Sequence, residues 1–502
     1  MIFWLDYWLV HYSVKNYLVV FEQLPLVILY LSKEDIKLVL MEFSQEENNI
    51  SLTRFESMLK TNDVLFFDSE EFENIANHYI EMGKIALARK AVKLGLEQHP
   101  TSSNLRLFKA ELFIFENKFE QAEAILTELH ELEPHNEEVF IQKANIYSKQ
   151  DEHKKAIHLL EQAIDLTDDP ADIYSLIGME YLFLEDFNYA KINFMKCLEV
   201  DDQDYSALYN IIYCFDFLEQ HQEAIEYLTI FLDKNPYCEV AWHQVGKQYF
   251  DLKEYEKALS AFDFAIISDD RFVGAYLEKG KVLEKLGRYN EALENYQITL
   301  ELEDPTSFAL LRMGKCYDKL GCDELAIKHY ERCVHEDPLL DNGWIAITDF
   351  YKKRLNFQKA LYYINKAIHI DADNVLYWKR YAKINHRLKF YEEAEAGYRK
   401  ALELGNYELE TWLHRSDILI HLGESEAAIT NLTQAMEFYP ENAEIAFRLA
   451  GLNYSKGDDI QGRYFLKNAL QTDAEFSIIL EELFPYAASK KEVVNLLKKY
   501  NV

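Results

Sequence analysis

Residues 239–272 read EVAWHQVGKQYFDLKEYEKALSAFDFAIISDDRF. Each notable residue in this stretch belongs to a column that recurs every 34 residues. The column of Ala258 runs Ala88, Ala122, Ala156, Ala190, Ala224, Ala258, Ala292, Ala326, Ala360, Ala394, Ala428 and Gly462, without one insertion or deletion. No single-core globular fold has a reason to do this. A stack of identical helical hairpins does, because each hairpin needs one close helix–helix contact at the same place. Function is therefore to be sought on a long surface rather than in one pocket.

Other columns keep the step. Twelve residues before each alanine stands a second small residue: Ala76, Ala110, Ala144, Gly178, Gly246, Gly280, Gly314, Thr348, Ala382, Ser416 and Ala450, with Ile212 breaking the rule. Bulky residues such as Phe72, Trp242, Trp344, Trp378 and Trp412 precede it by four, and aromatics such as Tyr79, Phe215 and Tyr249 follow by three. Those offsets place all of them on one helical face, where the small residue lets a neighbouring helix approach. Pro100, Pro134, Pro236, Pro338 and Pro440 close their units, and Asp168, Asp202, Asp270 and Asp304 take the same column elsewhere. Proline cannot continue a helix, and the Asp residues are expected to cap the next one. Gly83, Gly287, Gly321, Gly423 and Gly457 fall where helix A turns into helix B, a place that commonly needs a left-handed residue.

Trp242, Gly246, Tyr249, Ala258, Phe262, Ala265 and Asp270 together resemble the tetratricopeptide repeat, with Asp for the usual Pro. The resemblance covers 69–476 as twelve copies; Asn385, Ala446 and Asn453 depart from the pattern. It implies an all-α fold: a right-handed superhelical α-solenoid of about twelve helix-turn-helix repeats. It also implies a role in protein–protein interaction, without naming a partner.

The chain has 502 residues and a net charge of −33. A solenoid tolerates that length, since each repeat contacts only its neighbours. The acidity argues against wholesale binding to nucleic acid or anionic membrane. Cys197, Cys214, Cys238, Cys316, Cys322 and Cys333 form no C-x-x-C pair, and read as buried free thiols of a cytoplasmic protein rather than as a metal site. Residues 1–40 do not fit the repeat. They are either a hydrophobic leader, touching membrane or the first repeat, or lie before a natural start at Met41; the second reading is favoured. Residues 41–68 supply an N-terminal segment and cap. Residues 477–502 are expected to form a degenerate thirteenth helix A and a closing helix. No nucleotide, zinc-protease or nucleophile-elbow motif is present, so the expectation is a non-enzyme without cofactor or metal.

The resemblance further implies that helix A lines the concave face through the second, fifth, ninth, twelfth and thirteenth positions of each unit, counted from 69. Read in that way, the first half of the face is aromatic: Phe115, Met179, Phe183, Tyr209, Tyr213, Phe217 and Phe250. Repeats six to ten are basic: Lys247, Lys281, Lys285, Lys315, Lys319, Lys352, Lys353, Lys379, Lys383 and Arg387. Like charges one turn apart cost a little helix stability, so a bound anionic group is the expected compensation. Some family members clamp a chaperone's terminal carboxylate with Lys and Asn residues. Asn145 and Asn210 fit such a clamp, but Ile141 replaces its Lys. The expected function is a scaffold or adaptor that holds an extended or helical segment of another protein, acidic over the basic zone and apolar over the aromatic one. The alternatives are an RNA-binding helical-repeat protein and a self-assembling structural protein.

Overall fold

The computed structural model describes residues 50–61, 65–302 and 306–500. The proposed leader and the Met41 start lie outside them. Among the described residues there are helices and turns and no strand. The fold divides into two compact units, which meet in sequence between Gln220 and His221, inside the fifth repeat.

The first unit begins with a helix over 50–61. Its Phe55 and Met58 are buried with Phe67, Phe72, Ile75 and Tyr79 of the first repeat. Four helical hairpins follow: Ser69–Glu81 with Ile85–Gln98, Ser103–Phe115 with Phe119–Leu132, Glu137–Lys149 with His153–Ile164, and Ala171–Phe183 with Phe187–Val200. Tyr205–Phe217 ends the unit. The second unit opens with His221–Lys234. Its hairpins start at Glu239, Val273, Ser307, Asp341, Val375, Leu409 and Ala443, at the same step as those of the first.

The packed columns explain that step. All eleven alanines of the Ala258 column are fully buried where helices A and B cross. The choice of Gly or Ala in the facing column of helix A follows the residue four after that alanine in most repeats, Ala382 opposite Tyr398 being the exception. A Cβ on Gly178, Gly246, Gly280 or Gly314 would lie 2.5–2.7 Å from the ring of Phe194, Phe262, Tyr296 or Tyr330. Where Val92, Leu126, Leu160 or Leu466 stands instead, helix A carries Ala76, Ala110, Ala144 or Ala450. In those repeats the two positions trade volume, as close packing requires. Gly462 departs from alanine because Tyr454 lies against it.

Every A–B turn contains a left-handed residue at the Gly83 position. Five are glycines, and the other seven are Asn117, Asp151, Glu185, Glu219, Lys253, Leu355 and Lys389, with φ of 55–63°. Side chains with a Cβ adopt that conformation at a cost.

Asp168, Asp202 and Asp270 do not cap the following helix. The cap lies two residues later, where Ser102, Asn136, Asp204, Thr306, Asn374 and Asn442 accept a first-turn backbone N–H. The chain needs those two residues to reverse direction before helical geometry begins. The proline column instead offers its carbonyl to the bulky residue six positions on. Trp242 Nε1 donates to Pro236 O at 2.9 Å and Trp344 Nε1 to Pro338 O at 2.9 Å.

At the C-terminal end, Ile478–Leu483 and Pro485–Ala488 fold over helix A of the last repeat, Ala443–Lys456, and Lys491–Lys499 lies against its helix B, Asp459–Thr472. Phe484 sits on Gly451, where a Cβ would approach its ring to 2.1 Å. The expected thirteenth helix A is thus broken into short pieces, and its Ile478 is exposed. Lys490 is tied to Asp459 at 2.5 Å and to the Tyr454 carbonyl.

Candidate functional site

The thirteenth position of helix A is exposed in every repeat, from Glu81 through Lys319 to Ser455. It lies two residues before the left-handed turn residue, on the last turn of the helix, where no neighbouring helix covers it. The ninth position, two helical turns after the first residue, is exposed or half-buried until Gly451 disappears under Phe484. What stands at these positions is therefore chosen by something other than the core.

In the first unit these positions carry large apolar groups. Phe115, Phe183 and Phe217 keep 59%, 58% and 60% of their surface in solvent, and Tyr209, Tyr213 and Met179 are also exposed. Phe217 stacks on Phe187 of the preceding hairpin, with centroids 3.7 Å apart, and Tyr213 approaches the same ring at 6.2 Å. Phe183 stacks on His153, whose Nδ1 lies 2.8 Å from the buried Glu180 carboxylate. The rings are steadied from one side and bare on the other. Phe115 is two repeats away from Phe183. Glu111, at the ninth position of repeat two, has its pKa raised by burial and then by the Glu138 charge.

In the second unit the basic residues split into two groups. Five have carboxylate partners: Lys281 with Glu278 (2.6 Å), Lys352 with Asp349 (2.7 Å), Lys353 with Asp318 (3.4 Å), Lys379 with Glu408 (2.5 Å) and Lys383 with Glu410 (2.9 Å). Lys247, Lys285, Lys315, Lys319 and Arg387 have none within ion-pair reach among the described residues.

Three of those unpaired lysines meet. A cavity of about 290 Å³ is lined by Lys281, Lys285, Lys315, Lys319 and Arg312, with Phe250, Tyr289, Tyr330, Glu284 and Asp318. Phe250, read from sequence as the end of the aromatic zone, belongs to this basic cavity. The two carboxylates are already engaged. Glu284 accepts Tyr296 Oη at 2.6 Å and Arg312 at 3.3 Å, and Asp318 accepts Arg354 at 2.8 Å. Lys315 is reached by water, yet protein crowds round it on the inner wall. Its pKa is lowered, first by desolvation and then by the charge of Arg312.

Sequence reading missed Arg312 because it stands at the sixth position of its repeat. Arg380 and Arg448 occupy the same column, and each reaches back to a carboxylate of the previous repeat: Arg380 to Asp349, Arg448 to Asp417 at 2.7 Å. That recurrence was the available signal. Arg354, bonded to both Asp318 and Asp323, had no comparable one.

The six cysteines are free. Five are buried, as expected, but Cys322 is exposed at the start of a B helix. Burial pushes the Cys197 and Cys316 thiols up to about 12.

Profiles described as tetratricopeptide repeat match residues 116–179, residues 171–204 and 409–442, residues 244–307 and residues 308–339. A stretch of 141 residues, 28% of this chain, is 28% identical to anaphase-promoting complex subunit 3 of Schizosaccharomyces pombe and spans 21% of that protein. Among solved structures, the APC/C hetero-tetramer Cut9–Hcn1 aligns at 15% identity and a TM-score of 0.36, over 89% of this chain and 98% of that one. The C-terminal part of a repeat-containing protein from Cytophaga hutchinsonii aligns at 18% identity and a TM-score of 0.40, over 51% and 99%.

Proposed function

Because the chain belongs to the tetratricopeptide repeat family, we propose that it is a scaffold which binds other proteins along its A helices, and that repeats six to ten receive an acidic segment. The observation that carries this reading is the unpaired group Lys285, Lys315 and Lys319. Lys315 and Lys319 lie one turn apart with no carboxylate partner, and such a pair destabilises a helix by about 0.2–0.5 kcal/mol. A chain of net charge −33 has carboxylates to spare, and supplies them to Lys281, Lys352, Lys353, Lys379 and Lys383. An acidic segment would supply the missing partners, and would gain on-rate and register from them.

The aromatic positions of the first unit suit the apolar side of an extended or helical segment. The curated relative is, by name, a subunit of a complex, which agrees with a chain that works by holding other proteins. No helix among the described residues is long and apolar enough to cross a membrane. The free thiols support a reducing compartment, and the cytoplasm is the proposed location.

The test is charge reversal. Lys281, Lys315 and Lys319 are changed to Glu in the full chain, and both proteins are probed with an array of short peptides graded in Asp and Glu content. The reversed chain should keep its circular dichroism, since these side chains lie outside the packed columns, and lose the acidic peptides. Wild-type binding should weaken as salt rises. Retention of the same acidic peptides by the reversed chain at low salt would show that this face is only solvated.

A further inference from the structure

The basic face is not uniformly basic once its ion pairs are drawn. Beyond the cavity of repeats six to eight, Lys352, Lys353, Lys379 and Lys383 are each satisfied by a carboxylate of the chain itself. Inside it, Lys285, Lys315 and Lys319 come from two successive A helices and share one space of about 290 Å³. That volume suits one anionic group on one side chain rather than a run of residues.

The nature of the donors narrows the anion. The fork of an arginine matches carboxylate and phosphate alike, but the local arginine, Arg312, is turned toward Glu284 and leaves the ammonium groups to meet the anion. Ammonium groups act as point charges and suit an anion whose oxygens point in several directions. Phosphate monoesters carry nearly two charges near neutral pH and present three acceptor oxygens. A single Asp or Glu carries one charge and presents two. The walls also fit such a group. Phe250 and Tyr289 line the cavity, Tyr330 is buried beneath it, and both acidic members are held back by Tyr296, Arg312 and Arg354.

We propose that the cavity between Lys285, Lys315 and Lys319 is a phosphate subsite, which takes one phosphorylated serine or threonine of a segment bound along repeats six to ten. The proposal rests on the reading of that face as a peptide-binding surface. Phosphorylation of the partner would then switch its capture on. Desolvation and then the charge of Arg312 lower the Lys315 pKa, and a bound phosphate would offset the second of these.

The experiment uses the full chain and two fluorescent peptides that differ only in a central serine or phosphoserine set among Asp and Glu residues. Binding is read by anisotropy at fixed ionic strength, with inorganic phosphate and a single-stranded RNA as competitors. The phosphopeptide should bind about tenfold tighter or better. Changing Lys285, Lys315 and Lys319 to Gln should erase that difference, whereas Lys379→Gln with Lys383→Gln should leave it. Lys319→Gln alone, at an exposed position, should already reduce it and guards against a misfolded triple variant. Equal binding of the two peptides would overturn the phosphate subsite and leave the acidic-segment reading standing. Failure of both peptides would remove both readings. Inorganic phosphate that competes as strongly as the phosphopeptide would make this a site for the free ion, and RNA that displaces it more strongly would make it a nucleic-acid site; either overturns the proposal.

Discussion

Phe183 and Lys319 stand at the same place in their repeats, on the same turn of helix A, and both are exposed. The first unit also exposes Met179, Tyr209, Tyr213 and Phe217 on its A helices, and around Lys319 the second gathers Lys281, Lys285, Arg312 and Lys315. The hairpins beneath are alike, with the same buried alanines and the same left-handed turns. Packing therefore does not explain why one face is aromatic and the other basic. A bare phenylalanine forgoes much of the roughly 1.5–3 kcal/mol that full burial would give. The same departure is repeated at Phe115, Phe183 and Phe217, and the proposed partner would recover part of that energy.

The comparison can be sharpened by acid. Desolvation pushes His243 of repeat six down to about 4, with Glu278 opposing and Lys247 and Lys281 reinforcing the shift. A depressed pKa means that the unfolded state takes up the proton first. Stability around His243 should then be complete above its ordinary 6.5 and fall as pH drops from 6.5 toward 4. The loss should reach up to about 3 kcal/mol, and His243→Phe should abolish it. Glu111 in repeat two is raised instead. Its contribution is present at low pH and lost as pH rises through its folded pKa. Once the slower intrinsic exchange of amides at lower pH is divided out, protection from hydrogen exchange should therefore fall between pH 7 and 5 in repeat six and not in repeat two; equal responses would break the contrast.

A second test asks whether the hairpins really are equivalent. Ala156→Leu in the first unit and Ala258→Leu in the second both place a large side chain in a fully buried column. Each should cost about 1–3 kcal/mol. The damage should stay within the mutated repeat and its neighbours, because stability in a stacked array is local. Exchange that rises throughout the chain from either site would contradict this.

The smallest effect lies in the turns. Repeats two to six use non-glycine residues in the left-handed conformation, whereas repeats seven and eight use Gly287 and Gly321. Gly321→Ala should lower stability by about 1 kcal/mol, and Glu185→Gly should raise it by a similar or smaller amount. Thermal melts of the two variants that move in the same direction would remove strain as the explanation.

Much of this was legible in the sequence. The Ala258 column, the small residues opposite it and the exposed thirteenth position follow from one period and from helical geometry. Two things were not. The Asp column was read as the helix cap because aspartate is a good cap, but the turn runs on for two residues to Ser102, Asn136 and Asp204. Nor could sequence say which cations are free. Lys383 and Lys353 find their carboxylates 27 and 35 residues away, across the junction between repeats, and Lys379 finds Glu408, the residue before the next A helix, 29 residues away. Helical spacing shows neighbours on one helix, and those pairs exist only once the repeats are stacked. Only then do Lys285, Lys315 and Lys319 stand out.

The most direct measurement is an exchange footprint. The full chain is saturated with an acidic peptide selected on the array, and amide hydrogen exchange is compared with and without it. The account predicts protection on helix A of repeats seven and eight, Val273–Lys285 and Ser307–Lys319, and on no A helix of repeats two to four. Protection centred on Ser103–Phe115 or Ala171–Phe183 would contradict it.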